Sequence, residues 1–453
     1  MHITLTPNAV SHTLRCLMRT AAPALSFQVH TEGERPAVRL DNGLSISFSR
    51  IPESDWPSLL DGSYPMGHIP SFDGGVSVPV LLAEGTPFAV WAGDTLCVHA
   101  DLLTLSFLLL SRAEEVLLPE RDTYGRFLWK YSLAAKYGWI DLPVVDEWAL
   151  LLRQALSQRL PVSALGGNRP SLRPTHDMDT ARRFRSVFAA ARTILGGDLL
   201  RLKSPRIAAE SLRQYVRSCT HPERDPELLG AEALLSLSRR LDFVSEFYFM
   251  GVSQGEDDIR YEVSAPAVRG FAEKVKAAGM VCGFHASRLT PEDGKRFRIE
   301  QQRVSAALES PACCGRQHYL CFHAEKTPLI WQDAGVRYDD TLGYADHEGF
   351  RCGTCHAYPL YDLEHDRPLE VVERPLLVMD GTLKEYRGLT RPEALERLKA
   401  LFTRCCAVEG DFVILWHNGC VFRDWTPWFR EVYVPFMEWA AGRLGKDETH
   451  CDE

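Results

Sequence analysis

The sequence predicts an α/β protein: a smaller mixed α/β N-terminal domain, then a parallel sheet or barrel. Three observations carry this. Beyond residue 174, short apolar runs alternate with amphipathic helical stretches, the pattern of βαβ units. Several of those runs deliver a titratable residue at their ends, as strands converging on one edge do. A segment containing Gly166, Gly167 and Pro170 reads as a linker, so residues 1–165 and 170–445 are expected to form the two domains.

Length and composition agree. A chain of 453 residues buries a sizeable core and divides naturally in two. Its 45% hydrophobic and 25% charged residues are those of an ordinary globular protein. A formal net charge of −9 argues against nucleic acid as a partner. No apolar run reaches the ~20 residues that span a bilayer, so no membrane span is expected. Arg15 and Arg19 interrupt the first 27 residues, which leaves no secretory signal and makes the cytoplasm the expected location. The thirteen cysteines are odd in number and include the adjacent pairs Cys313-Cys314 and Cys405-Cys406. That spacing suits neither a disulfide framework nor a zinc ribbon, and reduced thiols are expected. Cys352-Gly353-Thr354-Cys355-His356 matches the spacing of c-type haem attachment, which requires export; it is read as coincidence.

In the first half, residues 37–40, 44–48, 76–82 and 88–91 alternate like strands, with Pro79 confining the third to a sheet edge. Residues 102–118 and 146–160 read as helices, the first strongly apolar. Arg112, Glu114 and Glu115 fall where the first of these ends and read as an ion-pair network. In the second half, strands are expected at 247–250, 280–284, 319–322, 376–379 and 412–416. Helices are expected at 271–278, 298–308, 329–334 and 392–405. Gly279 is placed to stop the first of them.

The candidate chemistry sits at strand ends. Pro174-Thr175-His176-Asp177-Met178-Asp179 carries two acids two residues apart, which an extended chain turns to one side. One such carboxylate can take a proton while the other binds a hard cation, although a solvated turn explains the pair equally well. His285 follows an apolar run, Arg316 and His318 lead into another, and His417 follows the last. Spacing alone supports no more than a hydrolase-like site. The pairs Asp339-Asp340 and Trp416 beside His417 fit a substrate groove or plain packing.

The ordered segments Thr175-His176-Asp177-Met178-Asp179, Phe284-His285-Ala286-Ser287, Arg316-Gln317-His318-Tyr319 and Leu415-Trp416-His417-Asn418 resemble the motifs of NodB-type polysaccharide deacetylases. Gly349-Phe350-Arg351-Cys352-Gly353-Thr354, together with Leu110-Ser111-Arg112-Ala113-Glu114-Glu115, resembles a bacterial subgroup that carries an uncharacterised domain before the deacetylase domain. The resemblance implies a distorted (β/α) barrel that hydrolyses an acyl group from an N-acylated sugar or glycan precursor. It implies Asp177 as base, Arg316 as the group that holds Asp177, and His417 as general acid. Asp179 and His285 are implied as ligands of a divalent metal. The family's second motif has two histidines four apart, and the matching position here is Leu289, so His318 is the replacement ligand expected. Such a donor set suits zinc. Two other functions stay open: a metal-independent amidohydrolase acting on a small amide, and a non-catalytic glycan-binding protein on a degenerate deacetylase fold.

Overall fold

The computed structural model describes residues 3–447 apart from 33–34, 84, 185, 253–260 and 423–425. The chain forms two compact units, both discontinuous. The first comprises Met1–Leu172, Tyr319–Arg387 and Arg397–Val413; the second comprises Arg173–His318, Gly388–Glu396 and Ile414–Glu453. Where the sequence reading drew one boundary, the chain leaves the first unit near residue 172 and re-enters it twice.

The first unit opens with the helix Pro7–Ala21, started by Pro7 and capped by the Thr6 hydroxyl, which accepts from the Ala9 N–H at 3.1 Å. Its buried face carries Ala9, Leu14, Leu17 and Met18. A five-stranded sheet follows in the order Phe27–Glu32, Arg35–Leu40, Ser45–Phe48, Thr95–Val98, Ala89–Ala92. The expected strand at 76–82 is Ser77–Val80, in a separate two-stranded ladder with Gly67–Pro70, where a proline costs little.

The helix expected over 102–118 breaks. Leu103–Leu110 is buried on every side, and Ala113–Leu117 starts again after Arg112, whose φ is 58°. Side-chain bonding outweighs helix continuation here. The Arg112 guanidinium donates to the Leu109 carbonyl at 2.6 Å and to Glu115 at 2.9 Å, while Arg351 grips the same Glu115 oxygen at 2.9 and 2.7 Å. These charges are nearly or wholly excluded from water, and such burial is tolerable only because each is paired and hydrogen-bonded. The network is structural, as expected. Asp339 is bonded by the Thr341 N–H at 3.0 Å and Asp340 by Arg374 at 2.6 Å, so the expected groove acids form a turn and an ion pair. The described cysteines form no disulfide with one another. Cys352 and Cys355 are fully buried, with the Cys355 N–H on Asp146 at 2.8 Å and His356 Nε2 2.9 Å from the Val408 carbonyl.

The second unit is built on neighbouring strands in the order Cys314–Gln317, Val281–Ala286, Glu246–Met250, Ser171–Met178, Asp411–Leu415. The first four run parallel. Pro226–Arg240, Pro266–Ala277 and Gly294–Leu308 lie between them in the chain, each started by a proline or an aspartate cap. Glu246–Met250 is buried throughout, as a parallel strand covered on both faces is. The α/β class therefore holds. The distorted barrel expected is met in part, as a curled half-barrel whose strand order runs in a line without closing.

A second correction bears on the site. Residues 319–322 are not a strand: Tyr319 and Leu320 take left-handed φ values of 60° and 56°, and the strand is the preceding Cys314–Gln317. Gly315 makes that strand possible. A Cβ there would lie 1.8 Å from the Phe284 carbonyl oxygen, so only glycine allows the approach that pairs Phe284 with Gly315 and His285 with Arg316. Among the described residues, no helix is long and apolar enough to cross a membrane.

Candidate active site

Each of the six singled-out side chains belongs to the second unit, at or just beyond the carboxyl end of a strand. Asp177 is the penultimate residue of Ser171–Met178, and Asp179 follows that strand. His285 sits in Val281–Ala286 and Arg316 in Cys314–Gln317, which His318 follows. His417 lies two residues past Asp411–Leu415. Parallel neighbours at matching register bring such ends to one edge.

The centre is Asp177, only 2% exposed. Arg316, fully buried, donates from Nη1 to Asp177 Oδ1 at 2.8 Å and from Nη2 to the Thr175 hydroxyl at 2.9 Å. Its guanidinium carbon stands 5.3 Å from the centre of the Tyr248 ring. The Tyr248 hydroxyl donates to Glu246 at 2.8 Å. Arg316 is thus fixed by a charge-assisted bond, a neutral hydrogen bond and a ring face, and the Asp177 carboxylate with it.

Around this pair gather three histidines. His285 Nε2 lies 3.6 Å from Asp177 Oδ2 and 3.2 Å from Asp179 Oδ1. His318 Nε2 is 3.8 Å from Asp179 Oδ1, and His417 Nε2 is 3.6 Å from Asp179 Oδ2. The His285 and His318 rings are 5.0 Å apart, edge to face. The first correction of the motif is visible here. Leu289, where a second histidine is usual, is 38% exposed, whereas His318 from the next strand reaches the acid.

Electrostatics follow from the crowding. Burial alone would raise the Asp179 carboxyl, but His417, His318 and His285 outweigh it and hold the acid far below the usual carboxylate range. Burial pulls His285 down; the carboxylates of Asp177 and Asp179 and the Arg316 carbonyl outweigh that, and the net shift is upward. Tyr261, which accepts the Met250 N–H at 2.9 Å, is pushed up by burial and further by Asp179 and Asp177.

The donor set fits a divalent metal. Ligand atoms of Asp179, His285 and His318 lie within 4.8 Å of one another. Asp179 Oδ1 and His285 Nε2 are buried and complete no hydrogen bond. His285 Nδ1 faces the Arg316 carbonyl at 3.0 Å, and a carbonyl can only accept, so Nδ1 carries the proton and Nε2 keeps its lone pair for the site. Neutral imidazole held in this way is the usual metal ligand.

Supports further out are local. His176 Nδ1 meets the Trp416 carbonyl at 2.7 Å, and the Trp416 N–H donates to the Thr175 carbonyl at 3.0 Å. Asn418 donates through Nδ2 to the Thr180 carbonyl at 2.6 Å and the Glu227 carbonyl at 3.1 Å, tying the residue after His417 to the one after Asp179. Glu300 accepts from the Ser287 N–H at 3.1 Å and hydroxyl at 2.9 Å, which fixes the chain past His285. Sequence reasoning missed Tyr261 and Glu300. Neither stands at a strand end, and only three-dimensional proximity marks them.

A family of unknown function, DUF7033, matches residues 46–161. No curated protein matches the chain. Among solved structures, one from Mycobacterium smegmatis, assigned as a polysaccharide deacetylase, is 17% identical. It covers 62% of this chain and 92% of its own, with a TM-score of 0.38. A mutant of a CE4-family pseudoenzyme with restored enzymatic activity is 10% identical, covering 63% of this chain and 70% of its own, with a TM-score of 0.27.

Proposed function

We propose that the chain is a hydrolase that removes an acyl group, acetyl in the simplest case, from an N-acylated sugar or glycan precursor. The observation that carries this reading is the pairing of Asp177 with Arg316 at 2.8 Å beside the three-donor cluster of Asp179, His285 and His318.

Asp177 is the base. Held in place by Arg316, it takes the proton of the attacking water as the C–O bond forms at the acyl carbon. His417 is the general acid: its ring, partly open to solvent, delivers a proton to the sugar nitrogen as the C–N bond breaks. Asp179, His285 and His318 would hold a divalent cation, zinc by donor type, which would supply Lewis acidity at the acyl group. Arg316 touches no substrate; it positions Asp177 through a charge-assisted hydrogen bond.

The test is acetate release from N-acetylglucosamine and its short β-linked oligomers, with metal-loaded and chelator-treated protein. Release that chelator abolishes and zinc restores supports the reading. Chelator-resistant turnover of another amide, or sugar binding with no turnover, sinks it.

A further inference from the structure

Beginning two residues past Asp179, the second unit carries a surface unlike the rest of the chain. Between residues 181 and 217 there are nine Arg and Lys against two Asp and Glu, a local charge of +7 in a chain of −9. The same stretch is apolar where it meets solvent. Of seventeen exposed large hydrophobic residues among those described, nine fall between Val187 and Val216, led by Phe188 at 83% and Leu200 at 76% exposure. A soluble surface rarely gathers so much exposed apolar area without a use for it.

The helix Pro205–Thr220 shows how this arises. Its exposed positions include the apolar row Pro205, Ala209, Leu212, Val216 and Cys219, spaced i, i+4, i+7, i+11 and i+14, beside the exposed Arg206, Glu210, Arg213 and Arg217, while its buried residues are Ala208, Ser211 and Ser218. An ordinary surface helix does the reverse. Small residues dock it on the body, and its branched side chains point away. Nearby, Arg192, Arg201, Arg206 and Arg430 are exposed and line a cavity of about 1170 Å³, roofed by the same helix.

We propose that this region docks the protein on an anionic lipid surface. Phe188, Leu200, Leu212 and Val216 enter the boundary between headgroups and acyl chains, and Arg192, Arg201 and Arg206 meet the lipid phosphates. Basic residues interleaved with bulky apolar ones are what interfacial binding requires, the cations providing attraction and the apolar side chains depth. A second copy of the chain is the poorer occupant, because it would set +7 against +7. The proposal stands apart from the hydrolase reading, since partition onto vesicles is measured without turnover.

The experiment is flotation of the full chain with vesicles of phosphatidylcholine alone and of equimolar phosphatidylcholine and phosphatidylglycerol. Binding is expected to the second and to be about tenfold or more weaker on the first, with loss at high salt. L200D/L212D and R201E/R206E, all at exposed positions, are each expected to weaken it by about tenfold while the far-UV circular dichroism stays unchanged. If either variant unfolds, the lipid and salt dependence of the wild type decides. Equal binding to both vesicles, no binding to either, or retention on polyglutamate beads without vesicle binding overturns the proposal. So does a dimer in solution that L212D dissolves.

Discussion

Arg316 grips Asp177 at 2.8 Å with both side chains shut off from water, and the backbone carbonyl of the same arginine fixes the His285 ring at 3.0 Å. One residue therefore sets the position of the proposed base and the tautomer of a proposed ligand. Arg316→Lys keeps the charge but loses the fork that reaches both Asp177 and Thr175. Turnover is expected to fall about 10–100-fold, from the loss of one charged hydrogen bond, with KM little changed. Steady-state kinetics check this. Arg316→Ala is a different experiment: it strands a buried carboxylate and is expected to cost about 3–5 kcal/mol of stability in urea.

Metal content separates the ligands from the rest of the site. Asp179→Asn, His285→Gln and His318→Gln are each expected to lower zinc affinity by at least about tenfold, because each removes a donor from a set of three. Asp177→Asn is expected to retain zinc while abolishing turnover. Metal analysis after dialysis, alongside the activity assay, reads both. Unchanged zinc in all three ligand variants would end the assignment.

Gly315→Ala tests whether strand register builds the site. The added methyl would meet the Phe284 carbonyl oxygen, which is backbone and cannot swing aside. We expect a stability loss of roughly 1–3 kcal/mol from the forced separation of the two strands, and a fall in activity larger than stability alone explains, since His285 and Arg316 are paired across that contact. Thermal unfolding and kinetics on the folded fraction distinguish the two effects.

His12 gives a pH signature in the first unit. It is buried, its ring is tilted against that of Tyr361 at 4.9 Å, and burial with the nearby Arg19 lowers its pKa to about 4. The folded state then binds fewer protons than the unfolded chain below pH 6.5. Its contribution is complete above that pH and drains away as pH falls toward 4. His12→Phe keeps the ring and removes the titration. Between pH 7 and 4 the wild type is expected to lose about 2–3 kcal/mol more than the variant, measured by urea unfolding at each pH.

Much of this was legible from residue order, and the failures have physical causes. Asp177, Asp179, His285 and His417 were readable because parallel strands are short apolar runs that end abruptly at polar residues. His318 was readable only as a substitute for the missing histidine at Leu289. The run 319–322 misled because Tyr-Leu-Cys-Phe is as apolar as a strand, yet its first two residues are left-handed, which no periodicity signals. The true strand, Cys314–Gln317, hides in a polar stretch whose glycine matters for what it lacks. The break at Arg112 is set by Arg351, some 240 positions away. The basic stretch at 181–217 vanished into the net charge of the whole chain, because averaging removes exactly the asymmetry that a surface uses.

The bond between Glu115 and Arg351 has a practical outcome for anyone dividing this protein. The segment matched by the family model, residues 46–161, contains Glu115 and Arg112 but not Arg351, and a fragment starting at 170 contains Arg351 alone. Truncation at 161 takes one of its two arginines from Glu115, and a start at 170 leaves Arg351 without its carboxylate in a dry interior. Recombinant pieces cut at the apparent domain border should therefore aggregate or be degraded, whereas co-expressed halves have the means to reassemble.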